Sequence, residues 1–165
     1  MERRALRTAE LSTGNRDDAL DVVQDAMLVL ARRYGHLGPE DWGPLFHRVL
    51  QSRIMDWHRR TKVRNRFRVW LRGSDEERED PLESRPAPPG VAPEHGVERG
   101  RFAESLERAL TALPPRQRQA FLLRTWEGLD VAATALAMGC SQGSVKTHYS
   151  RAVHALRDRL EEFHD

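Results

Sequence analysis

The 165-residue sequence predicts an all-α protein in which two small helical domains are joined by a flexible linker. Three observations carry this expectation. Apolar residues recur at three- and four-residue steps over long stretches, and no segment alternates with period two for long. Between two such regions, Gly73 to Gly100 combines high charge with Pro86, Pro88, Pro89 and Pro93, a composition that cannot bury enough apolar surface to pack. The domains are therefore expected at 1–72 and 101–165, with 73–100 as an acidic, proline-stiffened, disordered linker.

In the first domain, a short helix over Glu2–Leu11 precedes two stronger ones. The next is expected from Asp17 to Tyr34, with Leu20, Val23, Met27, Leu30 and Tyr34 on its buried face. Asn15 is placed to cap it, Asp17 and Asp18 suit its positive start, and Gly35 can end it. Opposite the apolar face lie Asp21, Gln24, Asp25 and Leu28, a charge-bearing surface that composition alone leaves as solvated. A loop from Gly35 to Gly43 leads to a helix from Pro44 to Trp57, extendable to Trp70. Its core face is marked by Phe46, Val49, Leu50, Arg53, Ile54 and Trp57. After the linker, helices are expected over Arg101–Ala112, Pro115–Trp126, Val131–Met138 and Gln142–Leu160.

Composition removes several classes. A single cysteine, Cys140, excludes an internal disulfide framework and a multi-thiolate metal site. No apolar run approaches the length of a membrane span, and no secretory signal opens the chain, so a cytoplasmic location is expected. The net charge of +2 conceals an asymmetry. Residues 1–72 carry 15 Lys/Arg against 9 Asp/Glu, residues 73–100 carry 3 against 8, and residues 101–165 carry 9 against 8. The basic first segment suits a polyanion, and the middle would repel one.

Val131 to Leu156 has the length and punctuation of a DNA-reading helix-turn-helix. Ala135 is small where two helices would cross, Gly139 can take positive φ at the turn, Ser141 can cap the second helix, and Val145 can plug the shared core. Gln142, Ser144, Lys146, Thr147, Tyr149, Ser150 and Arg151 make up the remaining face, with groups suited to base edges and phosphates. A second nucleic-acid signal is the tract Trp57–Trp70, with Arg59, Arg60, Lys62, Arg64, Arg66 and Arg68 followed by Arg72. Its aromatics could stack on bases, although Trp57 and Phe67 are expected to complete the core.

These segments resemble those of the sigma-70 family of bacterial RNA polymerase sigma factors, in its extracytoplasmic-function (ECF) group. Asp17–Met27 (DDALDVVQDAM) is similar to that group's polymerase-clamp helix, and Leu45–Asp56 (LFHRVLQSRIMD) to the helix that melts and reads the minus-ten element. Leu113–Phe121 (LPPRQRQAF) looks like the opening of the second domain, and the helix-turn-helix like the minus-thirty-five reader. The resemblance implies a sigma-2-like helical bundle followed by a sigma-4-like domain. It gives Asp21, Gln24, Asp25 and Leu28 to core polymerase. It gives the loop ending at Trp42, with Arg48, Ser52, Arg53 and Asp56 and the neighbouring Arg59 and Arg60, to minus-ten DNA. It gives Gln142, Ser144, Lys146, Thr147, Ser150 and Arg151 to minus-thirty-five DNA. Leu45 stands where the family pattern has an aromatic and Ser52 where it has an asparagine, and only Met1–Leu11 occupies the place of a longer opening helix.

The implied partners are core RNA polymerase and promoter DNA, with an inhibitory anti-sigma protein as a further one. No cofactor, metal or membrane is called for. An enzyme acting on nucleic acid would need clustered carboxylates or a paired nucleophile, and Asp21 with Asp25 has no third acid beside it. The nearest rival is a stand-alone helix-turn-helix regulator of the response-regulator type, whose recognition helix is similar but which leaves the Asp17–Met27 and Leu45–Asp56 segments unexplained.

Overall fold

A computed structural model describes residues 2–72 and 94–163, and these form seven α-helices with short turns and no strand. Helix α1 (Glu2–Thr13) and α2 (Arg16–Tyr34) meet at Gly14, which adopts φ 71°. The Asn15 side chain accepts hydrogen bonds from the Asp17 and Asp18 amides. Two donors that the helix itself cannot satisfy are thereby paired. Asp17 and Asp18 in the first turn and Arg32 and Arg33 in the last both oppose the helix dipole.

The buried stripe of α2 is Ala19, Val22, Val23, Ala26 and Leu30, rotated from the expected one. Leu20 and Met27, expected inside, are 45% and 44% exposed. The small residues decide the rotation. Ala19 and Ala26 sit with Ala5 and Ala9 of α1 in one core, letting the helices approach closely where larger side chains would hold them apart. A 3₁₀ turn, Pro39–Asp41, leads into α3 (Trp42–Arg72), which runs through Trp70 without a break. Phe46, Leu50 and Ile54 complete this core, with Trp42, Leu45, Val49 and Trp57 at its edge. Fully burying such a side chain contributes roughly 1.5–3 kcal/mol. Phe67 does not join the core: it is 58% exposed, because α3 continues past its last packed turn at Trp57.

Helix α4 (Glu94–Thr111) starts ahead of Arg101, so the C-terminal end of the expected linker is helical, while 73–93 lie outside the described residues. Helix α5 (Pro115–Phe121) passes into a π-helical turn, Leu122–Trp126. Helices α6 (Val131–Met138) and α7 (Gln142–Arg159) follow, and Leu160 lies just outside α7.

The two helical units pack against each other. Leu11 of α1 shares a core with Ala109, Leu110, Leu113, Leu122, Ala152 and Leu156. Arg7 pairs with Glu107 at 2.9 Å, and the Thr8 hydroxyl donates to Glu127 at 2.7 Å. Helix α3 lies along α6. Arg118 is the most deeply buried link. The residue is 6% exposed, and its guanidinium donates to the carbonyls of Leu11 (3.2 Å), Ser12 (2.6 Å), Thr111 (2.7 Å) and Leu113 (3.0 Å). One cation thus caps the C-terminal ends of both α1 and α4, where unpaired carbonyls gather partial negative charge.

Candidate nucleic-acid interface

The local chemistry of the helix-turn-helix follows its sequence. Asp130 caps α6 by accepting from the Ala133 amide. Gly139 ends that helix in the left-handed region (φ 62°, ψ 42°), which a side chain adopts only at a cost. Ser141 caps α7 by accepting from the Ser144 amide. Val145 is 1% exposed and locks α7 to Ala135 and Met138. Arg116 adds a tie the motif did not announce, donating to the Met138 carbonyl (3.0 Å) at the end of α6 and to Gln119 (2.9 Å).

This leaves Gln142, Lys146, Thr147, Ser150 and Arg151 exposed, and Ser144 half-buried. Thr147 spends its hydroxyl proton on the Gly143 carbonyl (3.1 Å), so only its lone pairs face outward. Lys146 and Arg151 have no acidic partner among the described residues. Tyr149 does not belong to the open face. It stacks on Phe121 with ring centres 6.2 Å apart and lies under the Arg124 guanidinium.

On α3, Arg48, Ser52, Asp56 and Arg59 follow at helical spacing along one side. Arg48 and Ser52 are exposed. Asp56 is shared by Arg53 (3.8 Å) and Arg59, and Arg60 reaches the Asp56 carbonyl (3.4 Å). Trp42, expected in the preceding loop, opens α3 instead and packs half-buried against the first core. On α2, Asp21, Gln24, Asp25 and Leu28 all face outward, joined by the exposed Leu20 and Met27.

The docking of the units brings one member of each set, Arg48 and Gln142, to the same cleft. Arg48 of α3 lines one cleft of about 620 Å³ with Ala135, Leu136 and Gly139 of the second unit, and with Gln142 at the start of α7. The seam beside it is polar. His47 and His58 project from the same side of α3, and burial lowers both imidazole pKa values. Glu127 opposes the shift at His47. At His58, Arg118 adds to it, a hydrogen bond with the Ser12 backbone opposes it, and the result is about 4. Burial pushes Arg118 down to about 10, still charged at neutral pH.

His58 predicts a pH dependence. The unfolded chain protonates near the ordinary value of 6.5, the folded one only near 4, so the unfolded state binds the extra proton first. Stability should be full above about 6.5 and fall as the pH drops toward 4. Urea midpoints measured across that window should decline less steeply for His58→Gln than for the parent chain, and equal slopes would remove His58 as the cause.

Residues 103–156 match the family model described as Sigma-70, region 4. Over 144 residues the chain is 33% identical to an RNA polymerase sigma-E factor of Streptomyces antibioticus, covering 87% of this chain and 71% of the relative. The chain belongs to the RNA polymerase sigma factors, in their ECF group. The sigma-E factor of Streptomyces coelicolor is 32% identical over 156 residues, covering 94% of this sigma factor and 78% of that one. Such a likeness takes in both helical units, which a stand-alone response-regulator-type protein would not share. The fold is similar to that of the sigma factor RpoE of Bartonella quintana, solved in complex with the anti-sigma factor NepR. There the TM-score is 0.66 at 22% identity, over 97% of this chain and 91% of that one. The sigma factor acts in transcription initiation. Among the described residues no helix is long and apolar enough to cross a membrane.

Proposed function

We propose that this sigma factor binds core RNA polymerase through the exposed α2 face, reads the minus-thirty-five element with α7, and melts and reads the minus-ten element with α3. The observation that carries the reading is the capped helix-turn-helix, whose outward face keeps Lys146 and Arg151 unpaired among the described residues. Asp21, Gln24, Asp25 and Leu28 serve the polymerase; Trp42, Arg48, Ser52, Arg53, Asp56, Arg59 and Arg60 serve the melted strand; Gln142, Ser144, Lys146, Thr147, Ser150 and Arg151 serve the upstream duplex. Residues 1–72 and 101–165 act as two separable DNA-binding bodies. Two modest DNA contacts joined through one polymerase gain avidity when both elements lie at the right spacing. The protein melts by capturing unstacked bases, which offsets the few kcal/mol of unpairing, and it catalyses no covalent step. It works in the cytoplasm. An inhibitor of the anti-sigma class seen with the Bartonella protein is a further partner we propose.

The docked arrangement supports a two-step use of these faces. A cleft of about 620 Å³ between Arg48 and Gln142 is far too small for a duplex. The second unit therefore leaves α3 before both elements are held, and the 21 residues from 73 to 93 allow a reach of up to about 70 Å.

Run-off transcription with core polymerase on genomic promoter fragments tests the reading. The double variant Lys146→Ala/Arg151→Ala should weaken upstream binding and reduce the slope of log affinity against log salt by about 2, with core binding intact. Transcription indistinguishable from the parent would refute the assignment of α7.

A further inference from the structure

None of the faces described above uses His148. It lies on α7 between Val145, which plugs the core, and Arg151, which faces outward, and it is half-buried. At 100° per residue it stands about 60° around the helix from Arg151 and about 40° from Ser144. That is the margin where the open face of α7 turns into the packed one. Arg116 approaches the same margin from α5, its guanidinium held by the Met138 carbonyl (3.0 Å) and Gln119 (2.9 Å). Neither Arg116 nor Arg151 has a carboxylate partner among the described residues. Nδ1 of His148 is closed off from solvent and has no partner there either, so Nε2 is the nitrogen left to meet a group from outside.

Three nitrogen-bearing side chains thus converge with no anion among them. Burial, then Arg116, then Arg151 hold the imidazole below its ordinary 6.5, and it is neutral at pH 7 in the free chain. Arg116 from α5 and Arg151 from α7 are the charged groups that act on it among the described residues; no carboxylate does. Two neighbouring cations disfavour a third charge, and an anion set among the three groups removes that penalty. Position selects the anion. The cluster borders Lys146, Thr147, Ser150 and Arg151, assigned above to a duplex, and phosphate backbones flank a helix seated in the major groove.

We propose that His148, with Arg116 and Arg151, forms a proton-coupled clamp for one backbone phosphate of the upstream duplex. The inference rests on the α7 reading and extends it. On binding, the imidazole takes one proton from solvent and donates through Nε2 to a phosphate oxygen. Such a contact carries no base information; it fixes how α7 sits in the groove. A group that gains a proton in the complex makes the complex tighter as the pH falls, until the free chain is protonated as well.

The test uses the full chain and a labelled duplex from the fragments that give run-off transcripts. Anisotropy is measured at fixed salt between about pH 6 and 8, where histidine is the side chain that ordinarily titrates. Circular dichroism at each pH certifies the fold. The parent should bind at least about fivefold tighter at the acid end. His148→Gln should bind like the parent at the alkaline end and show no change with pH. His148→Arg should be equally flat, at the tight level. His154→Gln, exposed elsewhere on α7, should follow the parent. Calorimetry in two buffers of different ionisation heat should record uptake of up to about one proton by the parent and almost none by His148→Gln. The proposal is overturned if the parent binds no duplex, if its affinity does not vary with pH, if His148→Gln keeps the parent's profile, or if His154→Gln removes it. Lys146→Ala tells the two readings apart, since it should weaken binding at every pH and keep the dependence on pH. If it binds like the parent, the α7 reading fails. If it weakens binding while His148→Gln retains the parent's profile, the clamp alone fails.

Discussion

Arg118→Met should lower the stability of the folded chain by about 2–4 kcal/mol, among the largest effects of any single replacement outside the cores. Methionine fills much of the same space but donates nothing, so four carbonyls at the ends of α1 and α4 lose a charged donor at once. Part of that loss is returned because a charge no longer has to be held out of water, which is why the estimate stays well below four separate charged hydrogen bonds. Arg118→Lys should recover little, since an ammonium cannot present the planar fork that reaches two helix ends together. Urea unfolding gives the magnitude, and hydrogen exchange at the C-terminal end of α1 gives the location. A change under about 0.5 kcal/mol, or exchange confined to α4, would show that α1 is held by its apolar contacts alone.

The double charge reversal Arg59→Glu/Arg60→Glu should reduce promoter opening at least about a hundredfold, because like charges brought together across an interface cost several kcal/mol. Both residues are exposed, and Arg59 already neutralises Asp56 in the free protein. The reversal therefore acts twice, removing cations from the strand and leaving three carboxylates on one turn. Within the helix such repulsion is worth only a few tenths of a kcal/mol per pair, so the fold should survive. Arg59→Gln/Arg60→Gln separates the two effects and should show a smaller defect. Permanganate reactivity of promoter thymines reports opening directly, with association to core polymerase measured alongside. Normal opening by the reversed variant would remove these arginines from the minus-ten set.

Local signals were legible in the sequence where a single residue type has one good reason to be present. Asn15, Gly139, Ser141 and Val145 each stand where the chain needed a cap, a left-handed turn or a core plug. The spacing of large apolar residues misplaced the buried face of α2, because Ala19 and Ala26 carry little weight in a hydrophobic pattern yet govern how closely helices approach. The same bias placed Phe67 inside. An aromatic at helical spacing reads as core, and nothing local announces that the core has already ended at Trp57. Tyr149 looked polar and outward but found Phe121 and Arg124, both distant in sequence. Arg118 was visible only as one letter of the LPPRQRQAF segment. Its acceptors at Leu11 and Ser12 are more than 100 positions away, beyond any window that periodicity can search. The exposure of Asp21, Gln24 and Asp25 followed from helix geometry, whereas their proposed partner came from resemblance alone.

The seam between the units has a bearing on how easily they part. Along it, Thr8 meets Glu127, Arg7 meets Glu107, and His47 and Gln51 keep buried side-chain atoms with no partner among the described residues. Solvent can replace each of the existing bonds and can satisfy the atoms that lack one. Separation would wet these polar positions and would also uncover the apolar contacts of Leu11 and part Arg118 from the Leu11 and Ser12 carbonyls. A grip by polymerase on one half would therefore have to outweigh the loss of the Leu11 and Arg118 contacts before the other half is released.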